Sequence, residues 1–65
     1  MSNEKKLIRI SDVKGMTGIS KSHIYLLASK GEFPKPIKLG ERSVAWVKDE
    51  VEAWVASRIA QRDSI

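Results

Sequence analysis

Cysteine is absent from this chain and histidine occurs once, at position 23. No disulfide, thiol nucleophile or cysteine zinc site can therefore be built. One imidazole cannot make a paired-histidine metal centre. No apolar run approaches the ~18 residues of a membrane span. The polar start, Met1-Ser2-Asn3-Glu4-Lys5-Lys6, leads into no signal-peptide core. Nor is there a glycine-rich loop to cradle phosphates. Asp49, Glu50 and Glu52 cluster where a helix starts, which is not a carboxylate pair placed in a pocket. These absences argue against an enzyme. They predict a cytoplasmic protein with no cofactor, no metal, no membrane partner and no small-molecule ligand.

Sixty-five residues make one small domain. A chain of this size buries about 60% of its unfolded surface, and its core supplies only ~3–5 kcal/mol. Lacking covalent and metal staples, it depends on efficient packing, self-association or a bound partner. With 42% hydrophobic and 31% charged residues it is too apolar to be disordered.

What is present is positive charge, unevenly placed. Residues 1–19 sum to +2, residues 20–48 to +4 and residues 49–65 to −2. Lys and Arg that neutralise phosphates release counterions and drive DNA affinity, although many soluble domains carry a basic surface with no such partner.

The charge peak begins at a recognisable turn, Thr17-Gly18-Ile19-Ser20-Lys21-Ser22-His23-Ile24-Tyr25. Gly18 can close a helix in the left-handed conformation. Ser20 can cap the next one. Ile19 and Ile24 stand at hydrophobic-staple spacing. This is the wiring of a helix-turn-helix, whose second helix presents its first turns to the DNA major groove.

Before the turn, residues 1–6 read as a flexible arm. Leu7-Ile8-Arg9-Ile10 reads as a short strand or an extended lead-in. Ser11 is the expected cap of the first helix, with Asp12 in its first turn. Val13 and Met16 can face inward together, while Gly15 weakens the helix or permits close approach. After the turn, the second helix runs from Lys21 to Lys30. Its stripe is Ile24, Leu27 and Ala28, and Gly31 stands at its C-terminal cap.

Glu32-Phe33-Pro34-Lys35-Pro36 cannot be helical. Two β-prone runs follow, Ile37-Lys38-Leu39 and Ser43-Val44-Ala45-Trp46, separated by Gly40-Glu41-Arg42, which reads as a hairpin. Two strands alone are marginal, so Ile37, Leu39, Val44 and Trp46 are expected to lean on the helices. A last helix starts near Lys48 or Asp49, with Val51, Trp54, Val55 and Ile59 as its stripe. Fraying is expected from Gln61 on. There is no internal repeat or linker. The fold class is mainly α with a small β-hairpin, a winged helix-turn-helix in the order helix, turn, helix, two-strand wing, helix. The expected domain is 7–62, with an arm at 1–6 and a frayed tail at 63–65.

The residues also resemble a known family. Leu7-Ile8-Arg9, Val13, Thr17-Gly18-Ile19-Ser20-Lys21-Ser22, Ile24-Tyr25, Gly31-Glu32-Phe33-Pro34-Lys35-Pro36-Ile37-Lys38-Leu39-Gly40, Arg42, Trp46 and Glu50-Val51-Glu52-Ala53-Trp54 are similar to the AlpA-type prophage regulators. These belong to the excisionase and MerR-like winged-helix group. The likeness spans about Leu7 to Arg62. It implies DNA binding through the second helix and the wing, and regulation of prophage genes. His23 and Leu26 depart from the usual pattern, at positions where base preference is set.

Candidate DNA-binding residues are Ser20, Lys21, Ser22, His23, Tyr25, Lys38, Arg42 and Ser43. Lys21 and Lys38 can hold phosphates, or be solvated surface charge. Ser22 and His23, near the cap Ser20, are placed for base edges, although His23 reads equally as a surface residue. Tyr25 can give its hydroxyl to a phosphate while its ring rests on the wing. Arg42, beside Ser43 at the wing tip, can reach a phosphate or the minor groove, or pair with Glu41 or Asp49 on the surface. Trp46, Trp54 and Phe33 read as core rather than as base-stacking platforms. Leu26 can touch a thymine methyl or a protein, but a lone exposed leucine is ordinary.

The partner implied is double-stranded DNA, with a second copy of the chain as a candidate that would lengthen the site. The reading is a sequence-specific transcriptional regulator. The alternatives are an excisionase-like architectural factor and an interaction module that uses the last helix.

Overall fold

The computed structural model describes residues 6–63. Its elements are β1 (Leu7–Ile8), α1 (Ile10–Thr17), α2 (Lys21–Ser29), β2 (Ile37–Lys38), β3 (Val44–Val47) and α3 (Lys48–Asp63). Three helices with a small antiparallel sheet make a winged helix-turn-helix, as the sequence predicts.

The turn between α1 and α2 forms through its own side chains. Gly18 adopts φ 73°, and its N–H donates to the Lys14 carbonyl at 2.7 Å. The Thr17 hydroxyl donates back to the Val13 carbonyl (2.8 Å) and accepts the Ile19 N–H (3.2 Å). Ser20 is extended, and its Oγ accepts the His23 N–H at 3.3 Å. Ile24 is fully buried and Ile19 packs against the same cluster, so the hydrophobic staple is formed. At the far end of α2, Gly31 takes φ 76°. The Gly31 N–H reaches the Ala28 carbonyl (3.1 Å) and the Glu32 N–H reaches Leu27 (2.8 Å), the paired bonds of a Schellman motif.

The first helix starts earlier than expected. Arg9, not Ser11, occupies the N-cap position; its carbonyl accepts the N–H groups of Asp12 (2.9 Å) and Val13 (3.0 Å). Asp12, at the third helical position, accepts the Arg9 N–H through its carboxylate at 3.3 Å. That acid supplies half of a capping box, and Ser11 is left inside the helix. The cause lies one residue back. Ile8 is paired across the sheet with Trp46, so the chain must turn at Arg9.

The sheet has three strands in the order β1-β3-β2, both neighbours antiparallel to β3. Leu7 faces Val47 and Ile8 faces Trp46; Ile37 faces Ala45 and Lys38 faces Val44. The expected two-strand wing thus gains a third strand from the lead-in. β2 ends at Lys38, and β3 runs from Val44 to Val47 rather than from Ser43 to Trp46. The wing loop 39–43 closes on the Ser43 carbonyl, which accepts the N–H groups of Leu39 (2.7 Å) and Gly40 (3.2 Å).

Side chains alternate across a strand, and this divides the sheet. Ile8, Val44 and Trp46 join the core cluster. Leu7, Ile37, Ala45 and Val47 occupy the opposite face by register. Ile37 therefore does not lean on the helices: it is 40% exposed, and Leu39, beyond the strand end, is 47% exposed.

The core is Val13, Ile24, Ala28, Phe33, Trp46 and Val51, at least one residue from each helix plus the connector and β3. Two indoles fasten the connector that the prolines keep out of regular structure. Trp46 Nε1 donates to the Pro34 carbonyl at 3.0 Å, and Trp54 Nε1 to the Glu32 carbonyl at 2.7 Å. The Phe33 ring stands edge-on to Trp54, with centroids 4.8 Å apart. Trp54 is only half-buried, and its outer face is covered by the Arg58 guanidinium, 4.9 Å from the ring centre.

The stripe on α3 is used mostly inside the domain. Val51 is fully buried, Trp54 and Val55 are half-buried, and Ile59 is exposed. From Ala56 to Asp63 every residue is exposed. The helix continues through Gln61 to Asp63, past the point where fraying is expected. Residues 1–5 of the expected arm and 64–65 of the expected tail lie outside the described residues. Lys6 is tied in, its carbonyl accepting the Lys48 N–H at 2.8 Å.

Candidate nucleic-acid interface

Helix α2 divides cleanly into a buried and an exposed side. At ~100° per residue, Ile24 and Ala28 point into the core, and both are buried. Ser22, Leu26 and Ser29 fall within about 60° of one another on the opposite side, and all three are exposed. His23 and Lys30 flank this stripe on one side and Tyr25 on the other. The Ser20 cap fixes where the stripe begins, and the staple fixes its tilt against α1.

Tyr25 is the hinge between helix and sheet. Its ring lies 5.7 Å from that of Trp46, tilted by 59°. The ring is thus propped on β3 while the residue stays 36% exposed, the two roles that the sequence leaves compatible. A cleft of about 370 Å³ beside it is lined by Tyr25, Ala28, Ser29, Lys35 and Pro36. It joins the exposed side of α2 to the connector that feeds β2.

Lys38 stands opposite Val44. Cross-strand partners share a face, so Lys38 belongs to the face of the sheet that carries Val44 and Trp46, where α2 lies. Arg42 is exposed in the wing loop. It pairs with neither Glu41 nor Asp49, since the ion pairs among the described residues are Lys48–Glu52 (3.9 Å) and Arg62–Asp63 (3.0 Å). Lys21, Lys30, Lys35, Lys38 and Arg42 are all exposed, and none has an acidic partner among the described residues. All five lie on α2, the connector or the wing, whereas Asp49, Glu50 and Glu52 open α3.

Of the residues singled out from the sequence, Ser20, Lys21, Ser22, His23 and Tyr25 are grouped on the first turns of α2 and exposed. Lys38 is exposed on β2 and Arg42 in the wing loop. Ser43 does not stand at the wing tip: it is half-buried, and its carbonyl closes the base of the loop. Lys35 is not among the sequence candidates, and Leu26 is weighed there only as an ordinary exposed leucine or an apolar contact. Lys35 stands between two prolines, where no periodicity assigns it a face. Leu26 carries a helical signal, since it sits two positions from Ile24 and so on the outer side. Ser29 is outward as well, but its hydroxyl donates to the Leu26 carbonyl at 2.7 Å.

The chemistry available is that of hydrogen bonds, cations and apolar contact. Among the described residues no cluster of His, Cys, Asp and Glu could hold a metal ion, and no helix is long and apolar enough to cross a membrane.

Comparison with known proteins places this surface in context. Residues 6–59 match the model of a family described as prophage CP4-57 regulatory protein (AlpA). The chain is also 46% identical over 59 residues to an uncharacterized protein, ORF88, of Enterobacteria phage P4; the match covers 91% of this chain and 67% of that relative.

Proposed function

The chain belongs to the AlpA family of prophage regulatory proteins, and from that premise we propose that it is a sequence-specific, double-stranded DNA-binding regulator of transcription of prophage or mobile-element genes. Helix α2 enters the major groove with its Ser22–Leu26 side toward the base edges. Lys21 and Lys38 hold phosphates on either side, and the Arg42 wing reaches the backbone or the adjacent minor groove. The observation that carries this reading is that all five cations of residues 21–42 are exposed and without an ion-pair partner among the described residues, in the same stretch of chain as the outward face of α2. A binding helix flanked by cations is the arrangement that phosphate positioning with base readout requires.

The test is a titration of the protein against duplexes from prophage promoter regions at several salt concentrations. Affinity should fall steeply as salt rises, and one duplex should be preferred over scrambled sequence. No binding at low salt would refute the proposal; binding without sequence preference would remove the sequence-specific part. A promoter reporter run beside an excision assay separates a transcriptional role from an architectural one.

A further inference from the structure

Resting on the reading of α2 as a major-groove helix, we infer that Leu26 is a specificity-determining residue that reads the 5-methyl group of thymine.

A lone exposed leucine is ordinary. This one is set apart by its place. It is 49% exposed, the most exposed large hydrophobic residue among those described. It takes no part in the core cluster. It lies at the middle of the outward stripe of α2, directly opposite the buried Ile24 and Ala28. The residues one turn away on either side, Ser22 and Ser29, are short. Ser29 is further withdrawn, because its hydroxyl is bound to the Leu26 carbonyl at 2.7 Å. Leu26 is therefore the long side chain of this stripe, with a short serine one turn away on either side.

The chemistry of the groove then narrows the choice. The major-groove edges of the base pairs offer donors, acceptors and one apolar group, the thymine methyl. An isobutyl side chain cannot hydrogen-bond. Against guanine or cytosine it would strip water from polar edges without replacing the bonds lost. Against thymine it buries methyl on methyl. Burying a group of that size is worth about a fourfold change in affinity, and exclusion of a mismatched polar edge adds to the discrimination.

The experiment uses the full chain and a duplex that it recovers from a random pool. Each thymine in turn is replaced by deoxyuridine, which removes the methyl group and keeps the hydrogen-bonding edge. At one or two positions the substitution should weaken binding by the unaltered protein about three- to tenfold. In Leu26→Ala that sensitivity should vanish at the same positions and persist elsewhere; Leu26→Met should keep it. Leu26 is exposed and alanine favours helix, so circular dichroism should show α2 intact. The inference is overturned if no thymine is methyl-sensitive, if Leu26→Ala keeps the same penalty, or if Leu26→Ala binds as well as the unaltered protein, as it would were Leu26 a contact for another protein. Recovery of no duplex at all would instead refute DNA binding, and with it this role for Leu26.

Discussion

Replacing each tryptophan by phenylalanine should separate two bonds that look alike on paper. Trp46 and Trp54 each donate an indole N–H to a connector carbonyl, at 3.0 and 2.7 Å. Distance alone would rank Trp54 first. Burial reverses the order. Trp46 is fully buried and its bond is part-buried where that of Trp54 is exposed, so Trp46→Phe leaves the Pro34 carbonyl without its partner where water reaches it less freely. An unsatisfied buried group costs ~1–3 kcal/mol. The smaller ring also leaves a void, worth about 1 kcal/mol for a deletion of a few atoms. The total is about 2–4 kcal/mol, most of the stability expected for a domain this small.

Trp54 is half-exposed, so in Trp54→Phe water can replace the indole at the Glu32 carbonyl. The phenyl ring can still meet Phe33. The loss is about 1 kcal/mol, a typical net hydrogen bond. For a domain of this length 1 kcal/mol moves the Tm by roughly 4–8 °C. Trp54→Phe should therefore lower the Tm by about 4–8 °C, and Trp46→Phe by about two to four times as much. Thermal melts followed by far-ultraviolet circular dichroism give the ranking. The remaining tryptophan in each variant provides a second, fluorescent probe of the same transition. Equal losses, or a larger loss in Trp54→Phe, would refute the argument that burial rather than bond length decides how firmly the connector is held.

Other outcomes follow from the same geometry. Ser20→Ala removes the acceptor of the His23 N–H and should cost ~1 kcal/mol in urea unfolding, with Ser20→Asp largely restoring it. Gly18→Ala meets no neighbouring atom within 4 Å, so its cost should come from the positive φ alone, ~1–2 kcal/mol, with Gly18→Asn milder; a change at Gly15, where φ is ordinary, should not destabilise in this way. In DNA titrations, Lys21→Ala and Arg42→Ala should each weaken binding to all duplexes alike and lower the slope of log affinity against log salt by about 0.9. Ser22 and His23 variants should instead change which duplex is preferred; unchanged preference would remove them from base readout.

The parts of the fold legible in the sequence are those written in local chemistry. Gly18, Ser20 and Gly31 each act within four residues of themselves, so their turns and caps could be read one after another. The α3 stripe was legible for the same reason, as its period belongs to the helix alone. What escaped depended on distant partners. Ser11 is a better cap than Arg9 by residue type, but Ile8 is held by Trp46, 38 positions on, and that pairing sets where the helix begins. The apolar character of Ile37 and Leu39 predicts an inward place, whereas the face of a two-residue strand is set by its register against Ala45 and Val44. The same limit applies to the candidate surface. The exposure of Ser22 and His23 follows from helix phase and that of Lys21 from its place at the first position of α2, while Lys35 comes beside Tyr25 only because the connector is folded back under the two indoles.

The third strand has a consequence for how the chain assembles. β1 is made at the start of the domain and its partner β3 some forty residues later. During synthesis the caps and the turn between α1 and α2 can form from contacts within a few residues of each other, while Leu7 and Ile8 wait for Val47 to leave the ribosome. Closing so long a loop is the slow, entropically costly step. A nascent chain stopped at Gly40 would carry the Gly18 and Ser20 turn but lack Trp46 and Val51, the core residues against which Ile24 and Ala28 close, and the Trp46 prop behind Tyr25. The sheet and the core beneath it would therefore be completed late and together, when the central strand slots between its two edges.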